Sequence, residues 1–302
     1  MKEVINLAGP SVKLVDSAIP RLNDDQVLIK VVVSGSNPKD WKVPDVAASG
    51  KSNLEMMLKA KKELNQGDDI AGVVEKVGSN LVEFKAIALQ PFTKCAHLVA
   101  LMLKATITLA AFTAAISLYT HLRFPPPWTP AAEPIPFIVY GAITAVGSFA
   151  IKLACNSNIH PIIAIAGKDS HYVGGLLDPS QGDIVIDYRE GIETTVKKIK
   201  GGIGLAGHSN VLHALDAVII PQSAEVLKQS VAPSGQIDFT LPNDLDVSPA
   251  IKSITSVGSV HKQHEFENNE ELGFIFSRYF TRALSNCTFS GHPFEVRSRP
   301  RC

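Results

Sequence analysis

Apolar positions fall into two regimes along this chain, and the change comes near residue 135. Over residues 1–35 the pattern predicts β structure. DDQVLIKVVVSG carries a continuous apolar run bounded by Asp24–Asp25 and Gly35, as a buried strand would. SNPKDWKVPD, with Pro38 and Pro44, reads as a turn-rich stretch, and LEMMLKAKKEL (54–64) has helical spacing. QGDDIAGVVEKVGSNLVEF (66–84) alternates like a strand pair, with Gly67, Gly72 and Gly78 as punctuation. Residues 85–105 have little periodicity. AAFTAAISLYTHL then reads as a helix, and PPPWTPAAEPIP (125–136) is a stiff, donor-poor connection.

From 135 to 260 a regular rhythm sets in. IPFIVY, HPIIAIAG, GDIVIDY, LHALDAVII, QIDFTL and SITSVGSV read as six strands, and the helical patterns VGSFAIKLACNS, GIETTVKKIKGG and SAEVLKQSVAPSG stand between them. Strands that alternate with helices, and are apolar throughout, predict a parallel doubly wound sheet covered on both faces. ELGFIFSRYFTRAL (271–284) reads as an amphipathic helix, and RSRPRC as a frayed basic end.

Composition narrows the function classes. The chain has 302 residues, enough for two domains, and is 45% hydrophobic and 19% charged. Lys+Arg and Asp+Glu both number 29, so no global field draws nucleic acid or an anionic membrane. Cys95, Cys155, Cys287 and Cys302 form no CxxC, which argues against a structural zinc knuckle and fits a reducing compartment. The N-terminus has no apolar signal region, so a cytoplasmic location is expected. Residues 98–119 are almost wholly apolar and long enough to span a bilayer, but Lys104 would be costly there; a buried helix is the preferred reading and no membrane partner is expected.

The candidate chemistry sits in YGAITAVGSFAIKLA (140–154). A dinucleotide loop needs a strand, a tight turn and a helix N-terminus whose N–H groups meet the pyrophosphate. Gly141 makes the turn and Gly147 lies where helix and strand pack closely, while Thr144 stands where a third glycine is usual and brings a hydroxyl. A plain strand–helix turn is the alternative. Strand two ends IAIAGKDS, with Gly167–Lys168 where NAD sites place an acid. Lys168 suits a 2′-phosphate and hence NADPH; Asp169, directly after it, is the counter-reading toward NAD. Tyr188 closes strand three, where its ring is placed to stack on adenine or bond the 2′-phosphate. Val257, Gly258 and Ser259 close strand six, where a glycine admits a nicotinamide ring against the backbone.

NPKDWK (37–42), GDDIAGVVEKVGS (67–79), LAAFTAAISLY (109–119), VYGAITAVGSFAIKLA (139–154), IDYREG (186–191) and VGSVH (257–261) together resemble the zinc-independent quinone oxidoreductase and enoyl reductase branch of the medium-chain dehydrogenase/reductase superfamily, most of all its fungal, trans-acting members. The resemblance implies a Rossmann doubly wound parallel sheet plus a GroES-like, β-rich catalytic domain. Its expected layout is a GroES-like part at 1–110, a Rossmann NADP-binding domain at 111–267 and a C-terminal return to the catalytic domain at 268–302. It implies NADPH, no metal, and hydride transfer to a small quinone or enone. A polyketide synthase is an implied partner, and a monomer or homodimer the implied assembly. Asn37 and Lys42 would line the nicotinamide pocket. Thr113 would contact the nicotinamide region, and Ile143, Thr144, Ala145 and Val146 would wrap the pyrophosphate. Lys168 and Tyr188 would hold the 2′-phosphate, and Val257, Gly258 and Ser259 would flank the nicotinamide. Zinc-dependent relatives carry a His-Glu pair where this chain reads GDD, so Lys42 or a bound water is the candidate oxyanion donor.

Two departures from the family pattern bear on activity. A KGDRVA-like strand, loop and strand pair are replaced by AIALQPFTKCAHLVALMLKA, and the family's closing helix and strand do not follow GHPFEV. The catalytic domain is therefore expected to be incomplete, with a catalytically silent nucleotide-binding relative as the alternative to an active reductase.

Overall fold

The computed structural model describes residues 1–9, 11–49, 64–81, 106–167, 170–260 and 267–295. The chain divides into two compact units, Met1–Thr108 with Pro293–Cys302, and Leu109–His292.

The first unit contains two antiparallel strand pairs. β1 (Lys2–Leu7) pairs with β2 (Ser11–Asp16), and β3 (Val27–Ser34) with β4 (Ile70–Val77). The expected strand pair over 66–84 is thus a single described strand whose partner is the apolar run 27–34. NPKDWKVPD departs from the turn-rich expectation: Lys39–Ser49 is a helix, α1, with Pro44 inside it. Asp40 ties down its start, its carboxylate accepting from the Asn37 N–H at 2.8 Å. Proline removes one donor from a helix, and here Pro44 is buried, so apolar contact offsets the lost bond. The helical spacing read at 54–64 falls on residues that, up to 63, lie outside the described set; Leu64 bridges to Asn6. Most of the departure from the family pattern at 85–106 also lies outside it.

The second unit opens with α2 (Thr108–Ala115), whose alanines are buried. It continues through 116–121 in wider turns, where the Leu122 N–H reaches the Ser117 carbonyl five residues back. Among the described residues no helix is long and apolar enough to cross a membrane. Six parallel strands follow: β5 (Phe137–Tyr140), β6 (Ile162–Ala166), β7 (Ile184–Asp187), β8 (His213–Asp216), β9 (Gln236–Phe239) and β10 (Ile251–Ile254). Their order is β10-β9-β8-β5-β6-β7, all parallel, so the winding order of the strands reverses between β5 and β8. α3 (Ala145–Asn156), α4 (Ser170–Gly174), α5 (Ile192–Leu205) and α6 (Pro221–Ser230) connect them. β5 and β6 are buried at every position, as the unbroken apolar runs FIVY and IIAIA require.

Two segments differ from the sequence expectation. SITSVGSV reads as one strand, but only Ile251–Ile254 pairs, and Val257–Val260 is a 3₁₀ turn beyond its end. The resemblance places residues 268–302 with the catalytic domain; α7 (Glu270–Ser285) and the loop to His292 lie in the second unit. The reason is aromatic packing: Phe276 stacks on Tyr119 at 4.9 Å, Phe280 meets Phe112 at 5.4 Å, and Phe289 stacks on Phe149 at 5.5 Å.

Candidate active site

The loop after β5 sits where the sheet order reverses. Gly141 has φ +82°, and a Cβ there would lie 2.5 Å from the Val218 side chain. Gly147 faces the loop so closely that a Cβ would come within 2.3 Å of the Gly141 carbonyl. Both glycines of YGAITAVG are therefore required by the backbone. Thr144 is the N-cap of α3, its Oγ1 accepting from the Gly147 N–H at 3.0 Å. The Thr144 hydroxyl is thus engaged in the helix start. The N–H groups of Ala145 and Val146 have no acceptor among the described residues. They are the orphan donors of a helix N-terminus, and Ile143–Val146 are half-buried around them.

The edge of β6 and β7 adjoins this loop. The N–H groups of Gly141 and Ala142 both donate to the Ile165 carbonyl, at 3.1 and 3.0 Å. Tyr188 opens the turn after β7 and lays its ring across Gly167, whose Cβ would fall 3.1 Å from Tyr188 Cε1. The Tyr188 ring is 6.2 Å from that of Tyr140. Arg189 is held by Asp187, whose carboxyl the guanidinium keeps at about 2. Lys168 lies outside the described residues.

Other expected residues are engaged in structure. Thr113 is 6% exposed, and its hydroxyl donates to the Leu109 carbonyl at 2.7 Å, within its own helix. Ser259 is fully buried, its Oγ donating to the Ser256 carbonyl and accepting from Asn269 Nδ2 at 2.8 Å. Val257 and Gly258 are half-buried in the turn beyond β10.

In the first unit, Asn37 and Lys42 flank the start of α1. Asn37 Nδ2 donates to Asp69 Oδ2 at 2.8 Å, and Asp69 is 3% exposed. Lys39 Nζ pairs with Asp68 at 2.6 Å and lies 3.5 Å from Asp40. Burial lifts the Asp40 carboxyl against the bonds from Asn37 and Lys39. The two acids of GDD thus bond Lys39 and the Asn37 carboxamide. Lys42 Nζ sits 5.7 Å from the Trp41 ring centroid and has no carboxylate partner among the described residues. These side chains belong to the first unit, whereas Thr113, the 141–147 loop, Tyr188 and 257–259 belong to the second.

Sequence reading missed several polar anchors. Asp69 orients Asn37. Asp216, fully buried at the end of β8, accepts from the Val218 and Ile219 N–H groups at 2.9 and 2.8 Å and from the Ser223 hydroxyl. Asp238 in β9 is likewise fully buried. The signal was available, since a lone carboxylate in HALD or QIDF is costly without partners. Among the described residues Cys155, His160 and Asp183 bring ligand atoms within 4.8 Å of one another. Asp183 is already bonded to His160 Nδ1 and to the Ile162 and Asp178 N–H groups, and burial pushes the Cys155 thiol up to about 12. The cluster therefore reads as a staple between β6 and the turn before β7. Two cavities, of about 320 and 230 Å³, open at the amino ends of the strands, away from the 141–147 loop.

Comparison with known proteins decides the family. Residues 23–97 match the alcohol dehydrogenase GroES-like domain. The trans-enoyl reductase fsr4 of Gibberella fujikuroi is 38% identical over 327 aligned positions, covering 98% of this chain and 90% of that protein. The chain belongs to the medium-chain dehydrogenase/reductase superfamily. Within this superfamily it lies in the branch of the fungal trans-enoyl reductases and the quinone oxidoreductases. Two solved members of the fold are similar in shape. The CurK enoyl reductase superposes with a TM-score of 0.73 at 14% identity, covering 98% of this chain and 92% of that one. The Escherichia coli quinone oxidoreductase complexed with NADPH gives 0.68 at 15%, covering 98% and 91%. As a medium-chain dehydrogenase/reductase, the chain is an oxidoreductase built on a pyridine-nucleotide fold.

Proposed function

We propose that this protein is an NADPH-dependent, zinc-independent reductase of the double bond of an α,β-unsaturated carbonyl, with quinones as alternative acceptors. The observation that carries the reading is the anion cradle at the reversal of strand order. There two glycines bring backbone within reach of a ligand, and the first turn of α3 offers free N–H donors. The similarity to a trans-enoyl reductase along nearly the whole chain narrows the substrate class.

The nicotinamide cofactor, when bound, supplies hydride. The chain's own residues do the rest. Ala145 and Val146 N–H groups and the α3 dipole bind the pyrophosphate. Tyr188 and Lys168 receive the adenosine 2′-phosphate, and the Tyr188 ring over Gly167 forms a wall for adenine. Lys42, an ammonium without a counter-ion among the described residues, donates to the oxygen on which negative charge develops. Asp69 holds the Asn37 carboxamide by its Nδ2, which leaves the Asn37 carbonyl oxygen as an acceptor. A polyketide synthase that presents the enoyl group as a thioester is the proposed partner.

NADPH fluorescence titration, followed by NADPH oxidation with an enone and a quinone panel, tests the reading. Saturable binding and turnover with at least one enone are expected, and Lys42→Ala should lower turnover by roughly 100-fold, the loss typical of one oxyanion donor. Binding without turnover across the panel would favour the catalytically silent relative; absence of binding would sink the proposal.

A further inference from the structure

We propose that His121 is a positioning residue of the cofactor face, its ring clamping the turn Val257–Val260 between the ends of β9 and β10 and the segment that starts α7. The inference rests on the proposed function, in which this turn flanks the nicotinamide.

His121 ends the helical stretch that begins with α2, and its side chain is 12% exposed. Both ring nitrogens face carboxylates. Nδ1 lies 2.6 Å from Asp238 Oδ1, and Nε2 lies 2.8 Å from Glu267 Oε1. A neutral imidazole has one N–H and would turn a lone pair toward one of the two acids; the imidazolium donates to both. Asp238 is fully buried and carries further bonds, from Ser253 Oγ at 2.7 Å and from Thr255 Oγ1 at 2.6 Å. Thr255 Oγ1 is also 3.1 Å from His121 Nδ1. Around this ring the turn is pinned at both ends. The Thr255 N–H donates to the Phe239 carbonyl at 2.8 Å, and the Asn269 N–H donates to the Ser259 carbonyl at 2.8 Å. Thr120, next to His121, donates to Asn269 Oδ1 at 2.8 Å. Three elements far apart in sequence thus meet at two adjacent side chains, and Val257–Val260 runs between them.

Among the described residues, the charged groups that face the ring are Asp238 from β9 and Glu267 from the segment before α7. Burial pulls the imidazolium down, but the bonds and charge of Asp238 and Glu267 outweigh it and raise His121 to about 9. The clamp is therefore charged at neutral pH and releases in mild alkali. The order of the turn should follow the charge of this ring.

NADPH affinity is measured from pH 6.5 to 10 on the full chain, as wild type, His121→Gln and Glu267→Gln. Hydrogen exchange over 255–260 is followed on the same samples. Wild type should bind with constant affinity at neutral pH and weaken by roughly tenfold through pH 9, the scale of losing one charge-assisted bond. His121→Gln should be weakened by a similar factor at pH 7 and show no alkaline step. Glu267→Gln should keep neutral-pH binding and move the step to lower pH, which a merely structural role would not do. Wild-type affinity and an unshifted step in both variants overturn the clamp. If wild type binds neither NADPH nor NADH, the functional reading fails, and exchange at 255–260 still decides the clamp. Faster exchange in His121→Gln supports it, and unchanged exchange overturns it. Should His121→Gln not fold, Glu267→Gln alone carries the decision.

Discussion

Thr144 shows how one side chain can take over a role that glycine has elsewhere. Its Oγ1 satisfies the Gly147 N–H, so the loop is held by a cap where a third glycine would leave it open. Thr144→Ala should cost about 1 kcal/mol in denaturant unfolding, and Thr144→Ser much less. Equal stability of all three would show that the cap contributes nothing. Tyr140, two per cent exposed in β5, presents the opposite case, because its hydroxyl has no partner among the described residues. Burial, with Asp216 and Tyr188 nearby, pushes that phenol up to about 12. Tyr140→Phe should leave stability unchanged or raise it by about 1 kcal/mol, since an orphan polar atom is removed. A clear loss in Tm would mean that the hydroxyl is bonded in solution. The two glycines of the loop were legible in sequence because a backbone demand leaves only one residue type. The partner of the Thr144 hydroxyl was not legible, because a cap and a phosphate contact ask for the same residue.

At the scale of elements, α3 and β5 are locked together through Gly147. A methyl there meets backbone rather than a flexible side chain, so neither element can yield without moving the other. Gly147→Ala should destabilise the protein by about 1–3 kcal/mol and displace the loop after β5, read as lowered Tm and, on the proposed function, weaker NADPH binding. Full retention of both would show that the strand–helix contact is looser than described. Six strands were legible, with helices after the first, third and fourth of them. The ends of elements were not. VGSV reads as the end of a strand with SIT before it, yet the chain leaves the sheet beyond Ile254, where Thr255 and Asn269 bind the turn. NPKDWKVPD reads as turn because of its prolines, yet the Asp40 carboxylate and a buried Pro44 sustain a helix.

Across the second unit, two buried bases set opposing pH responses. His121 is raised to about 9, so its contribution is complete below its ordinary value near 6.5 and is lost as pH rises through 9. Lys152, 9% exposed and donating to the Ser290 and Gly291 carbonyls, is lowered by burial to about 8. Between about 8 and its ordinary 10.5 the unfolded chain holds more protons at this residue, so its contribution to stability rises with pH. Urea unfolding from pH 6 to 10.5 should therefore show two partly cancelling limbs. Lys152→Met should remove the rising limb and leave a plain alkaline fall; an unaltered profile would remove Lys152 from this account. The sequence by itself determined the class of fold, the glycine turn after β5 and the family resemblance, because periodicity reports which face of each element is buried and glycine reports where backbone must pass. Only the tertiary structure decided that Tyr188 covers Gly167, that α7 packs on Tyr119, and that His121 meets Asp238 and Glu267, 117 and 146 residues away. Polar pairs so distant leave no periodic trace; their energy comes from being excluded from water together, which the folded chain alone brings about.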